Sequence, residues 1–449
     1  MFAKLRLLVS MATVKSSTGL AVQDIEIAPT AADFKQLLLT EISKAQSRIY
    51  ISALYIQDDA AGREILAALY QAKTQQPQLD VRLFVDFHRA QRGLIGEKEH
   101  GGNRDYYLEL EQQHSASIEI YGVPVKRKEL LGVLHLKGMV IDNVLLYTGA
   151  SINDVYLQQS ERYRLDRYYR LNSQALADNF CDYFQRYFVD SKLAPKLNQA
   201  VLPEKQVLKR NIIRLTKLLK KSQYREFPPA KSADIQAAMF VGCGRRGNQL
   251  NRVIRDLVKS SQQTLVMFTP YFNLPKPLLR DLDAALKRGV KVTLTVGDKK
   301  ANDFYNANED TFSTVEIVPY IYERLLVAFL SRRQKYLDNG QLTLRLWQDG
   351  SNSFHLKGLV VDDRYHMLTG SNLNPRAWAL DIENGILLDD PQGKLIAKFT
   401  EEFQRITAHT QIISNAAQIE NINSYPEKPR KLLKKIKMAQ IDRLLKRFL

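Results

Sequence analysis

The stretch HLKGMVIDNVLLYTGASIN, His135 to Asn153, returns as HLKGLVVDDRYHMLTGSNLN, His355 to Asn374. A repeat of this kind constrains the fold more than any single segment, because it demands two copies of one structural unit. The surroundings repeat as well. Phe34 to Ile56 and Leu250 to Phe272 each read as a helix followed by a strand, with Tyr55 and Tyr271 at matching places. A second helical stretch follows in each, REILAALYQAK or LLRDLDAALKRG. An apolar strand then leads to Asp86 in one copy and to Asp298 in the other. A further strand, SIEIYGVPV or LTLRLWQDG, enters each motif. Alternating helices and strands imply α/β units with a largely parallel or mixed sheet. The expected fold class is therefore α/β, as two tandem halves related by a pseudo-two-fold. A chain of 449 residues is long enough for two or three domains. The expected division is an N-terminal extension over 1–26, a first half over 27–189, a basic amphipathic linker over 190–235, a second half over 236–410 and a basic helical tail over 411–449.

In an extended chain, residues i and i+2 point to the same face. His135 and Lys137 therefore project together, as do His355 and Lys357. Asp142 and Asp362 follow each Lys by five residues. They read as strand-end acids paired with nearby Lys or Arg, part of a structural motif with Gly149 and Gly370. Those glycines permit close backbone approach. The tails GASIN and GSNLN align, so Ser151 matches Asn372 and Asn153 matches Asn374. The stretch from Asp to Gly is one residue longer in the second copy, which requires a bulge or longer turn there. Two His, two Lys and two Asn brought together describe a phosphate site. Lys and Asn donors stabilise non-bridging oxygens as charge develops. One neutral His attacks phosphorus and the other shuttles the proton. The cationic side chains do the clamping, so no cofactor and no metal are called for. A lone H-x-K is common by chance. Two copies with matching Gly and Asn tails are not.

The doubled H-x-K-x₄-D with its trailing Gly and Asn resembles the phospholipase D superfamily. DFHRAQRGLIG, YGVP, GVLHLKG, GASINDVYL, TPYFNLP, GDKKANDFY and NPRAW extend the resemblance over nearly the whole chain, to the gammaproteobacterial type of phosphatidylserine synthase family. It implies two phospholipase D-like α/β/α sandwich halves around one active site. It also implies that each catalytic His is oriented by a carboxylate, with Asp166 in RLDRYY and Glu383 in LDIENG at the matching places. A carboxylate on one ring nitrogen fixes the tautomer and stabilises imidazolium. The implied reaction transfers a phosphatidyl group from CDP-diacylglycerol to L-serine and releases CMP. His135 would form a phosphatidyl-histidine and His355 would act as acid and base. The usual tail of the superfamily is G-S-x-N. Both tails here carry one extra residue, so either Ser151 or Asn153 meets the phosphate. Tyr271, Asn273 and Asp303 lie at strand ends, where α/β sites form, and are candidates for holding substrate. A cardiolipin synthase or a phospholipase D would share the motif. A phosphodiesterase acting on nucleic acid would suit the charge, and a non-enzymatic scaffold would not need His and Lys intact in both halves.

The formal charge of +17 points to polyanionic partners: nucleic acid, an anionic membrane surface or phosphorylated substrates. Cys181 and Cys243 have no metal-type spacing, which suits a reduced cytoplasmic setting. The N-terminal MFAKLRLLVSMATVKSS has a short apolar run without a clear cleavage site. No run approaches the roughly 18 apolar residues of a spanning helix. A peripheral place on the inner face of the cytoplasmic membrane is expected. Lys205 to Lys221 suggests the means. Val207, Leu208, Ile212, Leu215, Leu218 and Leu219 share one face of a helical wheel. Lys209, Arg210, Arg214, Lys217, Lys220 and Lys221 take the other, with Ile213 as the misfit. That is the pattern of a helix lying in a membrane interface; the alternative is a helix that packs its apolar face on the enzyme. In the tail, Ile441, Leu444, Leu445 and Phe448 form a stripe, with Leu432, Leu433 and Ile436 on a rotated face. The basic segments could bind lipid headgroups or, nonspecifically, RNA.

Overall fold

The structure is a computed structural model and describes residues 16–92, 102–227, 233–308 and 310–438. The first part of the chain runs β1 (Thr18–Leu20), β2 (Ile25–Ile27), α1 (Ala31–Lys44), β3 (Arg48–Ser52), α2 (Ala60–Gln75), β4 (Asp80–Asp86), α3 (Asn103–Gln113), β5 (Glu119–Val123), β6 (Gly138–Ile141), β7 (Val144–Thr148), β8 (Arg164–Leu165), β9 (Tyr168–Asn172) and α4 (Gln174–Phe184). After α5 (Lys205–Leu219) come β10 (Ile235–Cys243), α6 (Gln249–Ser260), β11 (Thr264–Thr269), α7 (Lys276–Lys287), β12 (Lys291–Gly297), α8 (Val318–Ser331), α9 (Gln334–Asp338), β13 (Leu342–Trp347), β14 (Ser353–Phe354), β15 (Gly358–Val361), β16 (Tyr365–Thr369), α10 (Pro375–Ala379), β17 (Ile382–Asp389), α11 (Ile396–Thr407), β18 (Thr410–Ile413) and α12 (Glu427–Met438).

The first sheet has the order β2-β9-β7-β6-β3-β4-β5, and the second β1-β10-β17-β16-β15-β11-β12-β13-β18. The run β9-β7-β6-β3-β4-β5 reappears as β17-β16-β15-β11-β12-β13. Directions match too. The three strands ending each run are parallel, β3-β4-β5 and β11-β12-β13, and the other pairings are antiparallel. The repeat read in the sequence is thus a repeat of mixed-sheet topology. On the outer faces, apolar residues at helical spacing are buried, Phe34, Leu38 and Ile42 in α1 and Leu250, Ile254 and Leu257 in α6. A third core lies between the halves. Phe84, Leu136, Phe180 and Phe184 from the first meet Met239, Val241, Leu368 and Ile386 from the second.

Several expectations change here. Residues 18–27 are not a mere extension: β1 pairs with β10 of the second sheet and β2 with β9 of the first. β18, in the expected tail, pairs with β13 as an edge strand. The apolar face of α5 does not face lipid. Ile212, Leu215 and Leu219 are buried, and Leu215 and Leu219 belong to the core between the halves. The Thr216 hydroxyl donates to the Val125 carbonyl at 2.9 Å. An apolar stripe beside an uncovered core gains more from that core than from water, and the helix is docked accordingly. Lys209, Arg210, Arg214, Lys217, Lys220 and Lys221 remain exposed, with Ile213 among them. In α12, Leu433 is buried and Leu432 and Ile436 are half-buried against Ile317, Tyr320 and Ile321. The stripe from Ile441 to Phe448 lies outside the described residues. Among the described residues, no helix is long and apolar enough to cross a membrane.

Candidate active site

Both H-x-K segments are extended lead-ins to a strand, β6 or β15, and each is held by the opposite half. The His135 amide donates to the Ile382 carbonyl at 3.0 Å, and the His355 amide donates to the Leu165 carbonyl at 2.9 Å. Ile382 and Leu165 immediately precede Glu383 and Asp166. The backbone pairing therefore delivers each carboxylate to the histidine of the other half. Nδ1 of His135 lies 2.9 Å from both Glu383 oxygens. Nδ1 of His355 lies 2.9 Å from Asp166 Oδ2. All four side chains are buried.

The lysines differ. Lys357 Nζ donates to Asp166 Oδ2 at 3.0 Å and touches the His355 ring. Lys137 Nζ instead donates to the Ser151 hydroxyl at 3.2 Å. Both lysines are buried. The glycines sit beneath them. A Cβ on Gly149 would lie 2.8 Å from the Asp166 oxygens and from Lys357 Cε, and one on Gly370 would lie 2.6 Å from Lys137 Cγ. Any side chain there would push the clamp apart, so close approach is the reason for Gly at both places.

Among the described residues neither Asp142 nor Asp362 forms a side-chain ion pair with Lys or Arg. Each stands in the tight turn after β6 or β15 at φ 51° or 53°. Asp142 accepts the backbone amides of Gln46, Ser47 and Arg48. Asp362 accepts those of Gln262, Gln263 and Thr264. They staple the turns that enter β3 and β11, because a carboxylate in a turn finds unpaired amides closer than any cation. Asn153 and Asn374 also serve local geometry. Asn153 Oδ1 accepts the Tyr156 amide at 2.8 Å, and Asn374 caps α10 by accepting the Ala377 amide at 2.9 Å. Of the pair Ser151 and Asn153, it is Ser151 that reaches a site lysine. Among the described residues, the buried Asn372 side-chain oxygen has no hydrogen-bond partner. Tyr271 donates to Asp303 at 3.0 Å, and its ring lies 6.4 Å from the His355 ring. Asn273 is buried in the loop after β11.

Other residues of the site were not singled out in the sequence. Asn384 grips the first motif on both sides, accepting the Lys137 amide and donating to the Lys137 carbonyl, each at 2.8 Å. Asp86 and Asp381 accept the amides of Leu134 and Val133. The Tyr156 hydroxyl lies 3.1 Å from Nε2 of His355. Arg164 pairs with Asp303 at 2.8 Å, with its guanidinium 4.4 Å from the centre of the Tyr156 ring. Tyr156 lies within GASINDVYL and Asp86 at the end of β4. Their partners are distant in sequence, so no spacing could expose them.

Burial and mutual repulsion set the charges. Burial, aided by Lys137 and Lys357, pushes His135 well below its ordinary value. Burial and Lys357 lower His355 to about 4, and burial and Lys357 lower Lys137 to about 7. Lys357 is also lowered by burial, against the pull of Asp166. Burial and Asp381 push Glu383 well above the carboxylate range. Burial would raise Asp166 as well, but Lys357 and His355 outweigh it and hold it at about 2. The result is a buried, cation-lined site with two neutral imidazoles. Among the described residues Nε2 of His135 has no hydrogen-bond partner, so its lone pair faces the cleft when Nδ1 carries the proton. Such a site can clamp a phosphate diester and attack it with nitrogen.

These features define a two-domain phosphotransfer protein of the phospholipase D type. Residues 38–188 and 254–407 match the family described as cardiolipin synthase, PLD-like domain, and the chain belongs to this phospholipase D-like family. Within it, the chain is 41% identical over 430 residues to the CDP-diacylglycerol–serine O-phosphatidyltransferase PssA of Escherichia coli K12, covering 96% of this chain and 95% of the relative. It is 41% identical over 436 residues to the CDP-diacylglycerol–serine O-phosphatidyltransferase of Haemophilus influenzae, covering 96% of each. The crystal structure of the Haemophilus influenzae phosphatidylserine synthase superposes with a TM-score of 0.94 at 40% identity, covering 98% of this chain and 99% of that one.

Proposed function

We infer that the protein is a CDP-diacylglycerol–serine O-phosphatidyltransferase, the activity named for its full-length relatives. The observation that carries the mechanism is the crossed pair of His–carboxylate contacts, with one Nε2 open and the other against a hydroxyl. His135 is the nucleophile. Its Nε2 attacks the lipid-side phosphorus of CDP-diacylglycerol, the bridging P–O bond breaks, and CMP leaves with the electron pair. Glu383 orients Nδ1–H and stabilises the positive ring that results. The serine hydroxyl then attacks the phosphatidyl-histidine, its proton passes to Nε2 of His355, and the P–N bond breaks to restore His135. Asp166 stabilises the imidazolium of His355. Lys137 and Lys357 neutralise the non-bridging oxygens, with Ser151 and Asn372 lending polar groups beside them.

The test is isotope exchange. With a covalent intermediate, labelled CMP enters CDP-diacylglycerol without serine, because the first half-reaction is reversible. Active protein that makes phosphatidylserine yet shows no exchange would contradict the covalent route. Product analysis with serine, glycerol, phosphatidylglycerol or water as acceptor separates the synthase from a cardiolipin synthase or a phospholipase D.

The lipid substrate also implies a membrane surface. We propose that the exposed basic face of α5 meets anionic lipid on the inner face of the cytoplasmic membrane. Ile213, 48% exposed amid six Lys and Arg, is the apolar residue available to it.

A further inference from the structure

Beside His355 lies an ion pair that the displacement chemistry leaves unused. Arg164 and Asp303 form a 2.8 Å ion pair whose side chains are only 13% and 17% exposed. Among the described residues, Arg164 Nε is buried with no hydrogen-bond partner, and Asp303 Oδ1 has none beyond the guanidinium. The Arg164 guanidinium lies 4.4 Å from the centre of the Tyr156 ring. The Tyr156 hydroxyl in turn lies 3.1 Å from Nε2 of His355. Tyr271 donates to Asp303 and packs edge-on to His355. A buried ion pair is a poor device for stability, because desolvation consumes most of its attraction. One placed beside a general base, with polar atoms unspent, suits a ligand that carries both charges. A different buried cation, Lys299, is already committed to Glu323 and Glu420 and has no such spare donor among its contacts.

We propose that Arg164 and Asp303 bind the acceptor as a zwitterion, the guanidinium taking its carboxylate and the Asp303 carboxylate its ammonium, while Tyr156 marks where the acceptor hydroxyl meets His355. This assignment rests on the phosphatidyltransferase reading and names its acceptor site. The head-to-tail pair presents charges in the order opposite to those of an α-amino acid, so a serine laid alongside meets both partners at once. Tyr156, which contacts both Arg164 and His355, lies on the side where the β-hydroxyl must be placed to reach His355. The lowered proton affinity of Asp303, due to Arg164 and His355 against the effect of burial, keeps the ammonium's partner ionised. An acceptor lacking either charge leaves one member of the pair uncompensated, which a buried site penalises strongly.

The experiment compares acceptors on the intact enzyme: serine, ethanolamine, which lacks the carboxylate, and 3-hydroxypropanoate, which lacks the ammonium. Labelled-CMP exchange is measured in parallel. Both analogues should fall at least about 100-fold below serine in kcat/KM, the scale for leaving a buried polar group unpaired. Arg164→Lys should raise the KM for serine about tenfold or more, with a smaller loss of CMP exchange. Either analogue transferring within about tenfold of serine overturns the assignment, since one charge alone would then suffice. So does Arg164→Lys protein that loses exchange as fully as serine transfer, because Arg164 would then serve the donor step. Wild-type protein that neither exchanges CMP nor uses serine overturns the phosphatidyltransferase reading and this inference together. Exchange without acceptor selectivity overturns the inference alone.

Discussion

The two half-sites carry the same His and Lys but not the same electrostatics. In the second, Asp166 serves both His355 and Lys357, and that double load holds it ionised. In the first, Glu383 serves His135 alone while Lys137 turns to Ser151, and burial beside Asp381 drives the carboxyl toward neutrality. Repeated residues therefore do not make repeated roles. A firmly anionic partner suits a histidine that must become imidazolium to accept a proton. Glu383, raised by burial and Asp381, must first give up its proton before it can hold Nδ1–H of His135 and leave Nε2 free to attack. Removing either histidine should break the asymmetry outright. His135→Ala and His355→Ala should each lose at least about 10⁴-fold in turnover, since grouped catalytic residues fail as a unit. The informative readout is the trapped lipid adduct. It should form on His135 in the His355→Ala protein, and an adduct on His355 in the His135→Ala protein would reverse the roles.

The carboxylates should differ in stability as well as in rate. Asp166→Asn leaves Lys357 buried without its counter-charge and should destabilise the fold by about 3–5 kcal/mol, the range for breaking a buried pair. Glu383→Gln replaces a carboxyl already biased toward neutrality and should cost clearly less. Chemical denaturation of the two variants measures this, and equal losses would mean that Glu383 is as fully ionised as Asp166.

The pH dependence sharpens the same point. The attacking form of His135 needs Glu383 as carboxylate. Because Glu383 is raised, that form is present only above the raised value. CMP exchange should therefore decline as pH falls, at a pH above the ordinary carboxylate range, and Glu383→Gln should shift that decline to lower pH. Lys137, lowered to about 7 by burial and Lys357, is charged below that pH and neutral above it. The KM for CDP-diacylglycerol should accordingly rise as pH passes above about 7. A KM flat from pH 6 to 9 would mean that bound phosphate keeps Lys137 charged throughout.

The repeat and the convergence of His135, Lys137, His355 and Lys357 were legible because they are local patterns copied twice. Asp166 and Glu383 came from resemblance rather than from spacing, since each carboxylate reaches its histidine across the interface between halves. Asp142 and Asp362 were misread in detail. A sequence shows an acid near a strand end, but not that three backbone amides converge on it. Arg164, Tyr156 and Asn384 were invisible for the reason that hid the carboxylates' partners: their contacts span the fold. The N-terminal strands were missed because three residues each in β1 and β2 carry too little periodicity to declare themselves.

Helix α5 has one buried and one basic face, and the two offer the mildest test. Wheel symmetry alone placed its leucines toward lipid. The structure spends Leu215 and Leu219 on the core between the halves and leaves the cations and Ile213 outside. Leu215→Ala should thus lower stability by about 2–5 kcal/mol, as core truncations do, without a specific effect on vesicle binding. Replacing Lys209, Arg214, Lys217 and Lys221 with Gln should leave the fold intact. It should weaken binding to anionic vesicles by up to about 1 kcal/mol per charge, and the deficit should shrink in high salt, where the wild type is also screened. Activity on detergent-dispersed substrate should persist, because no contact of the two histidines is altered. Unchanged vesicle binding in the charge variant would remove α5 from the membrane surface and leave it only the task of bridging the halves.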